Sequence, residues 1–100
     1  MHDFLLIMYD DVSNKAAADD VEKWSSYLAR LRASGRFEGG SSVGTGLMCR
    51  KDHPDRPSEP GMSGFIRVRA DSLEQAKEFL SGNPTYVAGG TVEIRELLKD

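Results

Sequence analysis

The residues in this sequence best suited to chemistry are three arginines and a glutamate in its C-terminal half. Arg67 and Arg69 alternate with apolar neighbours in Phe65-Ile66-Arg67-Val68-Arg69, and Glu93 and Arg95 do the same in Thr91-Val92-Glu93-Ile94-Arg95. In strands, alternate residues share one face, so these four side chains would stand together. Guanidinium groups gathered this way can grip a small carboxylate or phosphate through paired N–H donors. The alternative is a cross-strand ladder, Glu93 with Arg67 or Arg95, that sets the register of an interface. Three arginines against one glutamate keep the pocket reading open. The candidate ligand-binding set is therefore Arg67, Glu93 and Arg95, with the aromatic Tyr9 and Trp24 beside them. Tyr9 packs through its ring and needs a partner for its hydroxyl. Trp24 reads first as core and second as a cavity wall.

Two further residues are catalytic candidates. His53 lies between Asp52 and Asp55, and a histidine beside carboxylates can shuttle protons near neutral pH. A solvated loop residue is the ordinary reading. Asp10, followed by Asp11, comes at the end of the first apolar run; it could hold a proton or a cation, or be a polar turn. His2 is next to the terminus and reads as incidental. Two distant histidines and the single Cys49 give no zinc spacing, and Cys49 itself reads as a small buried residue on a strand. No phosphate loop, nucleophile elbow or dinucleotide fingerprint is present. Neither a metal nor a cofactor is expected.

These residues must be positioned by a small set of elements. Phe4 to Tyr9 is a short apolar run bounded by aspartates, which predicts a buried strand. Ser13 or Asn14 can cap a helix from about Ala16 to Ser34, with Ala17, Val21, Trp24, Leu28 and Leu31 on one stripe. Its acids precede its bases, in keeping with the helix dipole, and Gly35 can end it. Gly39 to Ser42 reads as a flexible connection, and Val43 to Cys49 as a second strand. Arg50 to Gly61 is charged, holds three prolines, and reads as a long exposed loop. Met62 to Ala70 is the third strand. Asp71 with Glu74 makes a capping box for a second helix, with Leu73, Ala76 and Leu80 inside. Gly82 and Asn83-Pro84 stop it, and Thr91 to Glu96 is the last strand.

Strand, helix, strand, strand, helix, strand in 100 residues predicts one α+β domain: a ferredoxin-like βαββαβ sandwich with two helices on one face of a four-stranded antiparallel sheet. Right-handed crossovers place the first and third strands at its centre. The first strand is apolar on both faces, so the open sheet face needs a cover. No element is left to supply one, and a second copy of the chain is the simplest cover. A domain this small also gains from added burial.

Composition narrows the function classes. The net charge is −3 and the basic residues are scattered, which argues against nucleic acid. No apolar run is long enough for a membrane span. The N-terminus has no signal-peptide pattern, and a single cysteine suits a reducing cytoplasm.

The run Gly64-Phe65-Ile66-Arg67-Val68-Arg69-Ala70 into Asp71-Ser72-Leu73-Glu74-Gln75-Ala76, then Asn83-Pro84, then Gly89-Gly90-Thr91-Val92-Glu93-Ile94-Arg95, resembles the YCII-related family of small bacterial proteins. Pro57 to Gly64 and Leu28 to Arg36 add to the likeness, which covers nearly the whole chain. The resemblance implies a dimeric α/β barrel. It also implies a cleft in which some members hold a His–Asp pair, but the position of that histidine holds Trp24 here. A second branch carries an Asp-Gly-Pro-Phe motif and sometimes accompanies sigma factors; this chain lacks the motif. The expected function is that of a homodimer that binds a small, anionic molecule in a cavity at the open sheet face. The alternatives are an accessory or regulatory dimer with a sealed interface, and a small enzyme of lyase or isomerase type.

Overall fold

The computed structural model describes residues 1–59 and 61–99. Pro60, within the predicted loop and the Pro57–Gly64 run, and Asp100 lie outside the described residues. The sheet is built from β1 (His2–Tyr9), β2 (Phe37–Ser42), β5 (Met62–Ala70) and β6 (Val92–Leu97) in the order β2-β5-β1-β6. All three pairings are antiparallel. The first and third long strands, β1 and β5, are central, as right-handed crossovers require. Helices α1 (Lys15–Ala18), α2 (Val21–Ala33), α3 (Leu73–Lys77) and α4 (Pro84–Val87), with a 3-10 turn at Glu78–Leu80, complete this ferredoxin-like fold.

The core follows from strand alternation. Phe4, Leu6 and Met8 of β1 and Ile66, Val68 and Ala70 of β5 are buried on one face. Tyr27 and Leu31 of α2 and Ala76 of α3 close over them. On the other face, Leu5 and Ile7 are half-buried, opposite Arg67 and Phe65 of β5 and Arg95 and Glu93 of β6.

Several expected boundaries differ. The predicted single helix breaks at Asp19-Asp20. The Asn14 side chain accepts the Ala17 N–H and caps α1, and the Asp20 side chain accepts the Lys23 N–H and starts α2 afresh. The restart turns Val21, expected inside, out to solvent at 76% exposed, and Tyr27 takes the buried position at 1%. The second sheet strand is Phe37–Ser42, not Val43–Cys49. Leu47–Met48 instead forms β3, which pairs with β4 (Arg56–Pro57) in a separate hairpin. Part of the predicted loop is thus a strand, and Cys49 is exposed and outside any strand, because this hairpin has no sheet beneath it. The cap of α3 is Ser72, which accepts the Gln75 N–H, and the Gln75 side chain returns to the Asp71 N–H. The box is therefore shifted by one residue, and Leu73 is half exposed.

Asp11 ties the end of β1 to the start of β6. Its carboxylate accepts the Thr91 N–H at 2.8 Å and the Thr91 hydroxyl at 2.6 Å. These bonds hold the Asp11 carboxyl below its ordinary 3.8. A depressed carboxyl stabilises the fold above its unfolded pKa and loses that contribution as pH falls through its folded value. Asp11→Asn is thus expected to melt below wild type at neutral pH, with the gap closing as acid is added below 3.8. A gap that stays constant in thermal melts across that range would show that ionisation of Asp11 plays no part.

Candidate functional site

The cleft of this structure lies at the carboxyl end of β1, on the helix side of the sheet, and holds about 430 Å³. Small residues create it. Gly40 and Ser42 of the edge strand and Gly64 of β5 put no bulk over the sheet there. A Cβ on Gly64 would sit 3.0 Å from the Ser41 carbonyl and 3.3 Å from Met8 Cε, so even a methyl group would crowd the floor. The break between α1 and α2 leaves Ala18, Asp19 and Trp24 at the border of the cleft. Met8 and Ile66 form an apolar floor, with Phe37 at the edge-strand side. Trp24 and Leu28 of α2 form the opposite wall. A mainly apolar concavity of this size with a few polar groups is the ordinary form of a small-molecule site.

Each polar group at the cleft has a local reason for its position. Trp24 is held by its own hydrogen bond, the indole Nε1–H donating to the Ala18 carbonyl at 2.6 Å, and its ring meets Tyr27 edge-on at 5.9 Å. Arg32 stands with its guanidinium 5.5 Å from the centre of the Phe37 ring, a cation–π distance. Lys15 opens α1 and Asp19 caps its end, so both come from the α1 side of the helix break. Asp10 follows a register shift in β1, donates its N–H to the Gly61 carbonyl at 2.9 Å, and packs its carboxylate against Gly61. A Cβ on Gly61 would crowd that carboxylate, so a larger residue there would make the Asp10 side chain shift.

The sequence-derived candidates divide between two places. Asp10 and Trp24 line the cleft, and Tyr9 borders it. The Tyr9 hydroxyl, however, donates to Glu93 at 2.6 Å on the open face. That bond pushes the Tyr9 phenol above its usual 10.0. Arg95 holds the other oxygen of Glu93 at 3.3 Å. Arg67 is exposed on the same face, and among the described residues no carboxylate pairs with it; Arg69 there pairs with Glu38 at 2.8 Å. His53 is exposed in the turn of the β3–β4 hairpin, its Nδ1 2.9 Å from the Lys51 carbonyl. Neither histidine lines the cleft. Among the described residues, no group of three or more His, Cys, Asp or Glu could hold a metal ion. No helix among them is long and apolar enough to cross a membrane.

Sequence reasoning missed Met8, Phe37, Ser42 and Thr85 as cleft residues. The glycine and serine run Gly39-Gly40-Ser41-Ser42 was the available signal, since a strand edge without bulk leaves room beside it.

The model of the YCII-related domain matches residues 1–99. The chain belongs to the YCII-related family. No curated protein matches it. Among solved structures, this YCII-related chain is similar to the 5-chloro-2-hydroxyhydroquinone dehydrochlorinase from Burkholderia phenoliruptrix AC1100, in complex with 2,5-dihydroxybenzoquinone. The two align with a TM-score of 0.60 at 15% identity, over 98% of this chain and 95% of that one. At that identity the likeness shows the shared fold alone.

Proposed function

We propose that this YCII-related protein binds a small, flat ring compound with oxygen atoms on its rim, in the cleft at the carboxyl end of β1. The observation that carries this reading is the cleft itself. Trp24 and Phe37 supply aromatic surface for a ring, and Met8 and Ile66 an apolar floor. Lys15 and Arg32 supply donors and Asp10 an acceptor at the rim. A hydrocarbon would leave those polar groups unpaired, and a bare phosphate would leave the aromatic walls wet. A compound with hydroxyl or carbonyl groups around a ring suits both. The dehydrochlorinase of like fold, bound to a dihydroxybenzoquinone, lends this ligand class support.

The sole tryptophan of the chain is Trp24, so its fluorescence reports on the cleft directly. Titration with hydroquinone is expected to change Trp24 emission saturably. A linear, unsaturating change up to high millimolar concentration would count against the reading.

The open face of the sheet pairs, in this proposal, with a second copy of the chain. Leu5, Ile7 and Phe65 are half-buried at its centre, and the Tyr9–Glu93–Arg95 and Glu38–Arg69 contacts pair two of its carboxylates, Glu93 and Glu38. Ile7→Lys places a charge between Phe65 and Glu93. It is expected to halve the mass seen by light scattering without changing the circular dichroism spectrum. Wild-type protein that scatters as a single chain at micromolar concentration would remove the homodimer from the account.

A second reading rests on Arg67, which pairs with no carboxylate among the described residues and, with Arg95, could face an anion enclosed between two copies. In that reading Arg67, Glu93 and Arg95 hold the ligand and the protein is a barrel-type binder. Arg67→Ala separates the two, since only the open-face reading expects it to abolish ligand binding.

A further inference from the structure

Two residues with polar side chains are buried in the described structure, Asn83 at 0% and Thr85 at 3% exposed. Both belong to the Asn83-Pro84-Thr85 corner that packs beneath the end of β1. Asn83 is satisfied. Its Oδ1 accepts the Tyr86 N–H at 3.1 Å, and its Nδ2 lies 3.8 Å from the Met8 sulfur.

Thr85 is different. Its methyl group lies towards Gly90, where a Cβ would meet it at 2.8 Å, and its carbonyl accepts the Gly90 N–H at 2.9 Å. Its hydroxyl has no hydrogen-bond partner among the described residues. Yet no buried side-chain nitrogen or oxygen among them is sealed off without a partner. The Thr85 hydroxyl therefore keeps an opening, and the space that Thr85 borders is the cleft. A hydroxyl with no protein partner that opens on the cleft is free to donate to, or accept from, a ligand bound there.

We infer that Thr85 is a ligand-contact residue at the inner end of the cleft, whose hydroxyl bonds one rim oxygen of the bound ring and so selects oxygenated rings over hydrocarbon rings of the same shape. This rests on the ring-binding reading of the cleft and adds to it a selecting residue. The Gly90 N–H on the Thr85 carbonyl fixes the backbone that carries the hydroxyl. A site that presents an unpaired buried polar group rejects the analogue that lacks the matching group.

The test uses hydroquinone and 1,4-dimethylbenzene, which have the same shape and differ in having hydroxyl or methyl groups. Binding is read for wild type, Thr85→Val and Thr85→Ser by Trp24 fluorescence, with a thermal melt of each protein. Thr85→Val is expected to weaken hydroquinone about 3- to 10-fold and to leave 1,4-dimethylbenzene equal or tighter. Thr85→Ser keeps the hydroxyl and is expected to restore hydroquinone. The melt of Thr85→Val is expected at or above wild type, because no hydrogen bond within the protein is lost. An unchanged ratio of the two affinities in Thr85→Val, or a lowered melt showing that the hydroxyl serves the fold, overturns the inference while the cleft reading stands. Failure of wild type to bind either compound overturns the cleft reading and the inference with it.

Discussion

Tyr27→Ala is expected to destabilise this protein by about 3–5 kcal/mol, the range for truncating a large buried aromatic residue. Tyr27 is 1% exposed at the centre of the core, between α2 and the sheet. Its ring supports Trp24 at 5.9 Å, and its hydroxyl donates to the Phe79 carbonyl at 2.6 Å. Alanine would leave a cavity beneath the cleft wall and an unpaired carbonyl in the 3-10 turn. In a domain of this size each kcal/mol moves the melting temperature by about 4–8 °C, so the expected fall is roughly 12–40 °C. Tyr27→Phe keeps the ring and removes only the hydrogen bond, and about 1–3 kcal/mol is expected for it. Burial also holds the Tyr27 phenol above its usual 10.0, so the hydroxyl stays a donor through the neutral range. A Tyr27→Ala protein that melts within a few degrees of wild type would mean that the core is organised otherwise.

Gly40→Val is expected to cost about 2–3 kcal/mol, the upper part of the range for overpacking, and to abolish the cleft. A Cβ on Gly40 would meet the Phe65 carbonyl at 2.3 Å and Ile66 Cα at 3.1 Å. Both obstacles are backbone of β5, so no side chain can turn aside. Gly39 before it has φ of 101°, where only glycine is comfortable, and the register of β2 on β5 shifts between Phe37 and Gly40. The two glycines together let a bulged edge strand lie close against β5. Valine at residue 40 would push β2 outward and take Phe37 and Ser42 from the cleft wall. Gly44→Ala is the control, because a Cβ there meets nothing within 4 Å. If Gly40→Val melts with Gly44→Ala, the close approach of β2 is not what holds that edge.

The same glycines mark the limit of what the sequence discloses. The strands β1, β5 and β6 were legible because their apolar residues are either continuous or strictly alternating, and both central strands could be placed. The edge strand Phe37-Glu38-Gly39-Gly40-Ser41-Ser42 has no such pattern. Its strand character comes from pairing with β5, a tertiary effect that local propensity does not carry. Val43, Leu47 and Met48 drew the assignment downstream because they are apolar, yet Leu47 and Met48 serve a hairpin without a sheet beneath it, and Val43 only trails β2, donating its N–H to the Ser63 carbonyl at 3.0 Å. In the first helix, Asp19 and Asp20 read as charges suited to a helix dipole, whereas Asp20 is a cap that restarts the helix. That restart changes which residues face the sheet, so Tyr27 replaced Val21 in the core.

The site was legible in part for related reasons. Asp10 and Trp24 were singled out by residue type, and they line the cleft, with Tyr9 at its border. Arg67, Glu93 and Arg95 were singled out by alternation, and they lie together on the open face of the sheet. Thr85 escaped notice because Asn83-Pro84 reads as a helix stop. In the structure Asn83 caps a new short helix with Pro84 in its first turn, and that corner carries Thr85 beneath the cleft. A stop and a start use the same residues, and only the packing around them decides which one forms.

The central claim is that the ligand occupies the helix-side cleft and not the open sheet face. Amide and indole NMR shifts during a hydroquinone titration test it most directly. The Trp24 indole N–H and the amides of Ser42, Gly64 and Thr85 are expected to move together and saturate. Saturating shifts confined to Arg67, Glu93 and Arg95 would contradict it and place the ligand on the open face.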